Sequence, residues 1–165
     1  MIRGTWSLND PLVPANISAI MVKIGQEKGI SQDSLLENTE IDPAAFTDPK
    51  ARLTYQQVII LTNNMLKLCK EPTLGLELGN AININQFGML GYAILSCANV
   101  RQALNLGLKY HVLIDPAFNF EVDEQDETTS IRLTSHIPIE HIYNLLCDIF
   151  LTNFISLGHF LTGLD

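Results

Sequence analysis

The sequence predicts an α+β fold: a mostly helical N-terminal part packed on a small antiparallel hairpin and closed by a long C-terminal helix. Three observations predict it. Apolar residues recur at helical spacing between capping signals as far as Tyr110. Beyond Pro116 the period becomes an alternation of apolar and polar residues. After Pro138 helical spacing returns with a wide apolar face.

The elements follow in order. Pro14 suits a helix start, Ile17, Ile20, Met21 and Ile24 are spaced three and four apart, and Gly29 stops the pattern. Ser31 caps a short helix carrying Leu35 and Leu36, and Asp42-Pro43 opens another short turn that ends near Asp48-Pro49. Thr54 and Gln57 form a capping box ahead of Val58, Leu61, Met65, Leu68 and Cys69, with Pro72 just past the end. Residues 74–82 carry Gly75 and Gly79 four apart, a bare helical face that invites a close neighbour. Gly88 and Gly91 are expected to form a second such face. Asn99 is a good N-cap with Gln102 at the capping-box position, and Val100, Ala103, Leu104, Gly107, Leu108 and His111 share one side of the helix that follows.

In the strand region Phe118, Phe120 and Val122 alternate with Asn119, Glu121 and Asp123, and Ile131 and Leu133 flank Arg132. The acidic run Asp123, Glu124, Asp126 and Glu127 lies between them and reads as a solvated hairpin tip, since it lacks the glycine and final glutamate of a calcium loop. A two-stranded hairpin is marginal alone in water and needs something to lean on. Pro138 is expected to start the last helix. Its polar residues Asn144, Asp148, Thr152, Ser156 and His159 form one stripe, which argues against a lipid-facing span.

At 165 residues the chain reads as one domain with room for a core. Only 17% of its residues are charged, against about 25% in an average domain, so part of the surface is expected to be covered by something else. The net charge of −8 offers no basic footprint for phosphates, so this chain alone is not expected to bind DNA. Cys69, Cys97 and Cys147 are far apart and odd in number, which suits reduced thiols in the cytoplasm. Residues 1–13 lack the apolar core of a signal peptide and read as a flexible N-terminal tail.

Residues 87–110, FGMLGYAILSCANVRQALNLGLKY, resemble the effector-domain pattern of the AraC family of transcription regulators. Phe87, Gly88, Leu90, Gly91, Tyr92, Ala93, Ser96, Ala103, Leu104, Lys109 and Tyr110 carry the resemblance. Cys97, Ala98 and Asn99 stand where the family often has Ser-Pro-Thr, and Lys109 where it has Arg. The run of short helices in residues 29–52 and the Leu-Gly-Leu-x-Leu-Gly pattern from Leu74 are similar as well. The resemblance implies a bacterial, cytoplasmic regulator whose residues 14–165 form a ligand-sensing and dimerisation domain, truncated so that a C-terminal helix-turn-helix DNA-binding domain is absent. It implies an unknown small-molecule effector, homodimerisation, DNA contact only through the absent domain, and no membrane partner.

No phosphate loop, dinucleotide fingerprint, nucleophile elbow or zinc-protease motif occurs, and neither catalytic residues, metal nor cofactor is expected. His136, Glu140 and His141 lie close enough to suggest a metal site, but surface histidines at a helix start are the favoured reading. Cys97 precedes a helix N-terminus, where a thiolate would be favoured, yet a small packing residue fits better. The candidate ligand-binding residues are Tyr92, Tyr110, His111 and Arg132. The first three pair apolar bodies with polar tips near the glycine-bearing elements, while Arg132 either holds an anion or faces water, with water favoured. Two other classes of function are kept in view: a ligand-free dimerisation module, and a small thiol enzyme using Cys97 with His111 or His136.

Overall fold

A computed structural model describes residues 7–125, 128–137, 139 and 142–163. Its architecture is the expected α+β arrangement. Strand β1 (Pro11–Pro14) leads into helix α1 (Ala15–Glu27), followed by the short α2 (Gln32–Leu35) and a 3-10 turn at Pro43–Phe46. Strand β2 (Arg52–Thr54) precedes α3 (Tyr55–Leu68), α4 (Leu74–Ala81), a 3-10 turn at Ile84–Phe87, α5 (Met89–Leu95) and α6 (Val100–Tyr110). A 3-10 turn at His111–Leu113 then gives way to the hairpin β3 (Phe118–Gln125) and β4 (Thr128–Ser135), and α7 (Tyr143–Thr162) closes the order.

The capping signals act as their chemistry demands. Thr54 Oγ1 accepts from the Gln57 N–H and the Gln57 side chain accepts from the Thr54 N–H, closing the box at the start of α3. Ser31 and Asp42 cap α2 and the first 3-10 turn through the N–H groups of Ser34 and Ala44. Asn99 Oδ1 accepts from the Gln102 N–H, but Gln102 Oε1 accepts from Ala98 N–H instead of completing a box on Asn99.

Three features depart from the expectation. Residues 11–13, read as tail, belong to β1, which pairs antiparallel with β2 in a two-stranded sheet; strands of three and four residues with two prolines leave no legible alternation. Gly88 shares no helical face with Gly91: at φ +54° it is the junction between a 3-10 turn and α5, a conformation that favours glycine. Gly91 alone makes the close approach, against the Ile84 carbonyl. The last helix begins at Tyr143, five residues after Pro138, which lies outside the described residues along with Glu140, His141, Asp126 and Glu127.

The main core joins Ile24, Leu35, Leu61, Met65, Leu74, Leu78 and Leu145 from α1 to α4 and α7. Against it, α4 and α7 cross at very short range. A Cβ on Gly75 would lie 2.5 Å from Asp148 Cβ, and one on Gly79 would lie 2.6 Å from the Ile149 carbonyl oxygen. Asn153 Nδ2 donates to the Gly79 and Ile82 carbonyls at 3.3 and 2.6 Å, meeting acceptors that the end of α4 leaves open. Ser156 and Asn80 hydrogen-bond at 2.8 Å.

The polar stripe of α7 is thus largely a packing face. Asp148, Thr152 and Ser156 look onto α4, whereas Leu151 and Ile155 stand outward, 62% and 59% exposed. Among the described residues α7 is the one helix long and apolar enough to cross a bilayer, yet this side is engaged with α4. The inner face of α7 supports the hairpin: Phe150 meets Phe118 and Phe120 edge-on at 5.1 and 5.7 Å, and Phe154 meets Phe120 at 5.7 Å.

Gly79→Ala is expected to lower stability by about 1–3 kcal/mol, because the new methyl collides with backbone that cannot give way. Gly158→Ala on α7 meets nothing within 4 Å and is expected to raise stability by about 0.5–1 kcal/mol through helix propensity. Urea unfolding of the two variants checks the contrast.

Candidate functional site

Between the inner face of α7, helices α1 and α6 and the hairpin lies a partly enclosed cavity of about 310 Å³. Ile17 and Met21 of α1, Leu104 and Leu108 of α6, Phe120 of β3 and Leu157 of α7 are among its lining residues. Its walls follow from the amphipathic periods: the apolar side of α6 faces inward, and the alternation of β3 turns Phe118 and Phe120 to the same side.

Among the described residues the polar ones in this wall are Ser18, Thr62, His111, Asp115 and Asn153. Thr62 Oγ1 donates to the Val58 carbonyl at 2.8 Å, and Asn153 is committed to the end of α4. Tyr55, the first residue of α3, donates its hydroxyl to Asp115 Oδ1, and the Ala117 N–H donates to both Tyr55 Oη and Asp115 Oδ1 at 2.9 and 3.2 Å. This latch ties the start of α3 to the entry of β3. Burial pushes the Asp115 carboxyl up to about 6 despite these bonds, and burial with the neighbouring Asp115 charge raises the Tyr55 phenol.

His111 stands apart. Its Nε2 is buried and has no hydrogen-bond partner among the described residues, while its ring packs edge-on against Phe120 at 4.5 Å between centroids. Burial lowers its pKa to about 4, so the imidazole is neutral at physiological pH. A buried polar atom without a partner costs about 1–3 kcal/mol, and such atoms are rare enough in folded proteins that each calls for a reason. His111 is also one of the residues that line the cavity.

The four residues singled out from sequence do not converge. His111 lines the cavity. Tyr92 on α5 is 68% exposed and Tyr110 is 43% exposed on an open groove along the outside of α6, with Lys109 over its ring at 5.3 Å. Arg132 is exposed on β4, opposite Glu121 in register. Cys97 packs beside Ile84, Ile94 and Ala103 and donates from Sγ to the Ala93 carbonyl at 3.4 Å. His136 is exposed, Glu140 and His141 are outside the described residues, and no group of three potential metal ligands occurs among those described. The Tyr55–Asp115 pair went unseen because 60 residues separate the partners. The phenylalanine wall was half visible, in the alternation of β3.

Comparison with known proteins adds an independent line. The family described as the N-terminal arabinose-binding domain of AraC transcription regulators matches residues 29–165. An ornithine utilization regulator of Pseudomonas aeruginosa is 30% identical over 152 residues, covering 92% of this chain and 45% of that protein. Uncharacterised helix-turn-helix-type transcriptional regulators of Mycobacterium bovis and Mycobacterium tuberculosis are each 24% identical over 129 residues, covering 77% of this chain and 38% of theirs. The chain spans less than half the length of these relatives.

Asp115 and His111 oppose each other in acid. Between about pH 4 and 6 the folded Asp115 keeps a proton that its unfolded form, with a reference value of 3.8, has lost, so acidification through this window favours the fold. Folded His111 refuses, down to about pH 4, a proton that its unfolded form takes near 6.5, so acidification disfavours the fold. Relative to the native chain, Asp115→Asn is expected to lose stability more steeply from pH 6.5 to 4, and His111→Phe to lose it less steeply. At pH 7 His111→Phe, which removes the orphaned nitrogen, is expected to raise stability by about 1 kcal/mol, a Tm increase of about 2–4 °C for a domain of this size. Denaturant titrations at several pH values and a thermal melt measure both effects.

Proposed function

This chain belongs to the family of N-terminal arabinose-binding domains of AraC transcription regulators, and we propose that it senses a small-molecule effector in the cavity beside His111 and relays occupancy through α7 to the DNA-binding part of a longer regulator. The observation that carries the reading is the largely apolar space of about 310 Å³ enclosed by α1, α6, the hairpin and α7, with His111 among its lining residues. Among Tyr92, Tyr110, His111 and Arg132, the direct ligand contact is assigned to His111.

One helix serves both ends of the relay. Phe150, Phe154 and Leu157 of α7 border the cavity, while Leu151 and Ile155, one step around the same helix, face outward. A ligand shifts such a system only by binding one position of α7 better than another. A coupling of 1–3 kcal/mol changes affinity at the second site by about 5- to 150-fold.

The outward ridge supports homodimerisation. Tyr143, Leu151 and Ile155 lie at helical spacing and are each more than half exposed, a contiguous apolar strip of the kind that marks interfaces. Two copies crossing on this strip would form a self-complementary contact with two-fold symmetry. The cavity favours this ligand-responsive dimer over a dimerisation module that binds nothing.

No reaction is assigned. The relatives are transcriptional regulators, and Cys97 is committed to packing and to the Ala93 carbonyl, which supports a structural role over that of a nucleophile. With regulation of transcription goes a cytoplasmic location.

Leu104→Trp should fill the cavity from α6. A metabolite library screened by thermal shift is expected to yield at least one compound that raises the Tm of the native chain and leaves this variant unmoved, with circular dichroism showing both folded. A library that stabilises neither protein would refute effector sensing. Separately, Leu151→Glu together with Ile155→Glu is expected to turn a dimer into a monomer in light scattering, and a native chain that stays monomeric at high concentration would contradict the proposed interface.

A further inference from the structure

Resting on the reading of α7 as a dimer surface, we propose that two copies pair with their α7 helices antiparallel about a two-fold axis, Leu151 of each seated in the gap at the partner subunit's Gly158. The glycine is the starting point. Among the described residues Gly29, Gly88 and Gly163 have positive φ, and a Cβ on Gly25, Gly75, Gly79, Gly91 or Gly107 would lie 3.2 Å or less from a neighbouring atom. Gly158 has neither reason: it lies inside α7, and a Cβ there meets nothing within 4 Å. A glycine in a helix interior is less stable than alanine, and nothing in the packing of one chain offsets that.

Helix geometry puts this gap beside a bump. Seven residues fall within about 20° of two full turns, so Gly158 follows Leu151 on one side of α7, and Ile155 lies on that side too. Leu151 and Ile155 are 62% and 59% exposed. Shape then selects the pairing. A parallel pair would set leucine on leucine and gap on gap. In an antiparallel pair with its axis between residues 154 and 155, positions 151 and 158 face each other twice, and each leucine enters a space where no Cβ stands. Charge permits the approach. The chain carries −8, yet Tyr143, Cys147, Leu151, Ile155, Gly158 and Thr162, spaced three and four apart, include no charged side chain. The one carboxylate of α7, Asp148, is turned to α4, so two acidic copies meet on this strip without opposing like charges. Gly158 also lines the cavity, which places the contact between copies at the cavity's rim.

Light scattering over a dilution series compares the native chain with Gly158→Leu, Leu151→Ala and the two changes combined. Gly158→Leu is expected to weaken dimerisation at least tenfold, because both contacts become overpacked, while urea unfolding of the dilute, monomeric chain shows a fold no less stable than the native one. Leu151→Ala is expected to weaken dimerisation as well. The combined variant exchanges bump and gap and is expected to dimerise more tightly than either single variant. A second measurement reads the register: with Cys147→Ser throughout, a mixture of Leu151→Cys and Gly158→Cys chains is expected to form a disulfide-linked dimer in air. Leu151→Cys alone is not, since its two copies stand about 10 Å apart along the helices, beyond the roughly 7 Å Cα reach of a disulfide. Dimerisation that Gly158→Leu leaves unchanged would overturn this pairing, and loss of the dimer in Leu151→Glu with Ile155→Glu would then leave the α7 surface itself standing. Unchanged dimerisation with a lost effector response would assign the glycine to the ligand instead. Cross-linking of Leu151→Cys alone would overturn the proposal in favour of a parallel pair. A native chain that stays monomeric at high concentration removes both the pairing and the surface, and effector sensing is then decided by the metabolite library alone.

Discussion

The crossing of α4 and α7 at Gly75 and Gly79 is the constraint on which the rest of the structure depends. With no side chains between them, the two backbones approach until the Ile149 carbonyl and the Asp148 Cβ occupy the space a methyl group would need. That proximity lets Asn153 reach the carbonyls of Gly79 and Ile82, so the end of α4 is capped by a side chain from another helix. It also sets the rotation of α7 about its own axis. Once Asp148, Thr152 and Ser156 are turned to α4, Phe150, Phe154 and Leu157 must face the interior and Leu151 and Ile155 must face outward.

The interior that this rotation creates is not filled. The phenylalanines of β3 and α7 meet edge-on around a space of about 310 Å³, and the polar wall groups with known bonds are spent on the fold itself. The latch of Tyr55, Asp115 and Ala117 anchors the hairpin, which as two strands alone would be marginal. His111 Nε2 is the exception, a buried polar atom without a hydrogen-bond partner among the described residues. Sites that work on ligands commonly retain such local costs, because the penalty is relieved when the ligand arrives.

Much of the fold was legible because its signals are local. The capping residues Ser31, Asp42, Thr54 and Asn99 announce helices and turns a few residues away, and the period change after Pro116 announces the hairpin. The spacing of Gly75 and Gly79 announced a close neighbour, although not which one. What escaped notice was non-local or irregular. The β1–β2 pair is too short for a period, Gly88 turned out to be a positive-φ junction instead of part of a face, and the polar stripe of α7 meets a helix. The candidate site was less legible than the fold: of Tyr92, Tyr110, His111 and Arg132 only His111 borders the cavity, since exposure of the other three is decided by the rotation of their elements in the assembled structure.

The most direct test of the account is a crystal structure of the chain with an effector that stabilises it. The account predicts electron density inside the space between Phe120, Phe150 and Leu104, in contact with the lining residues of α6, α7 and the hairpin. Density lying instead in the open groove beside Lys109 and Tyr110, with the interior unchanged, would contradict it.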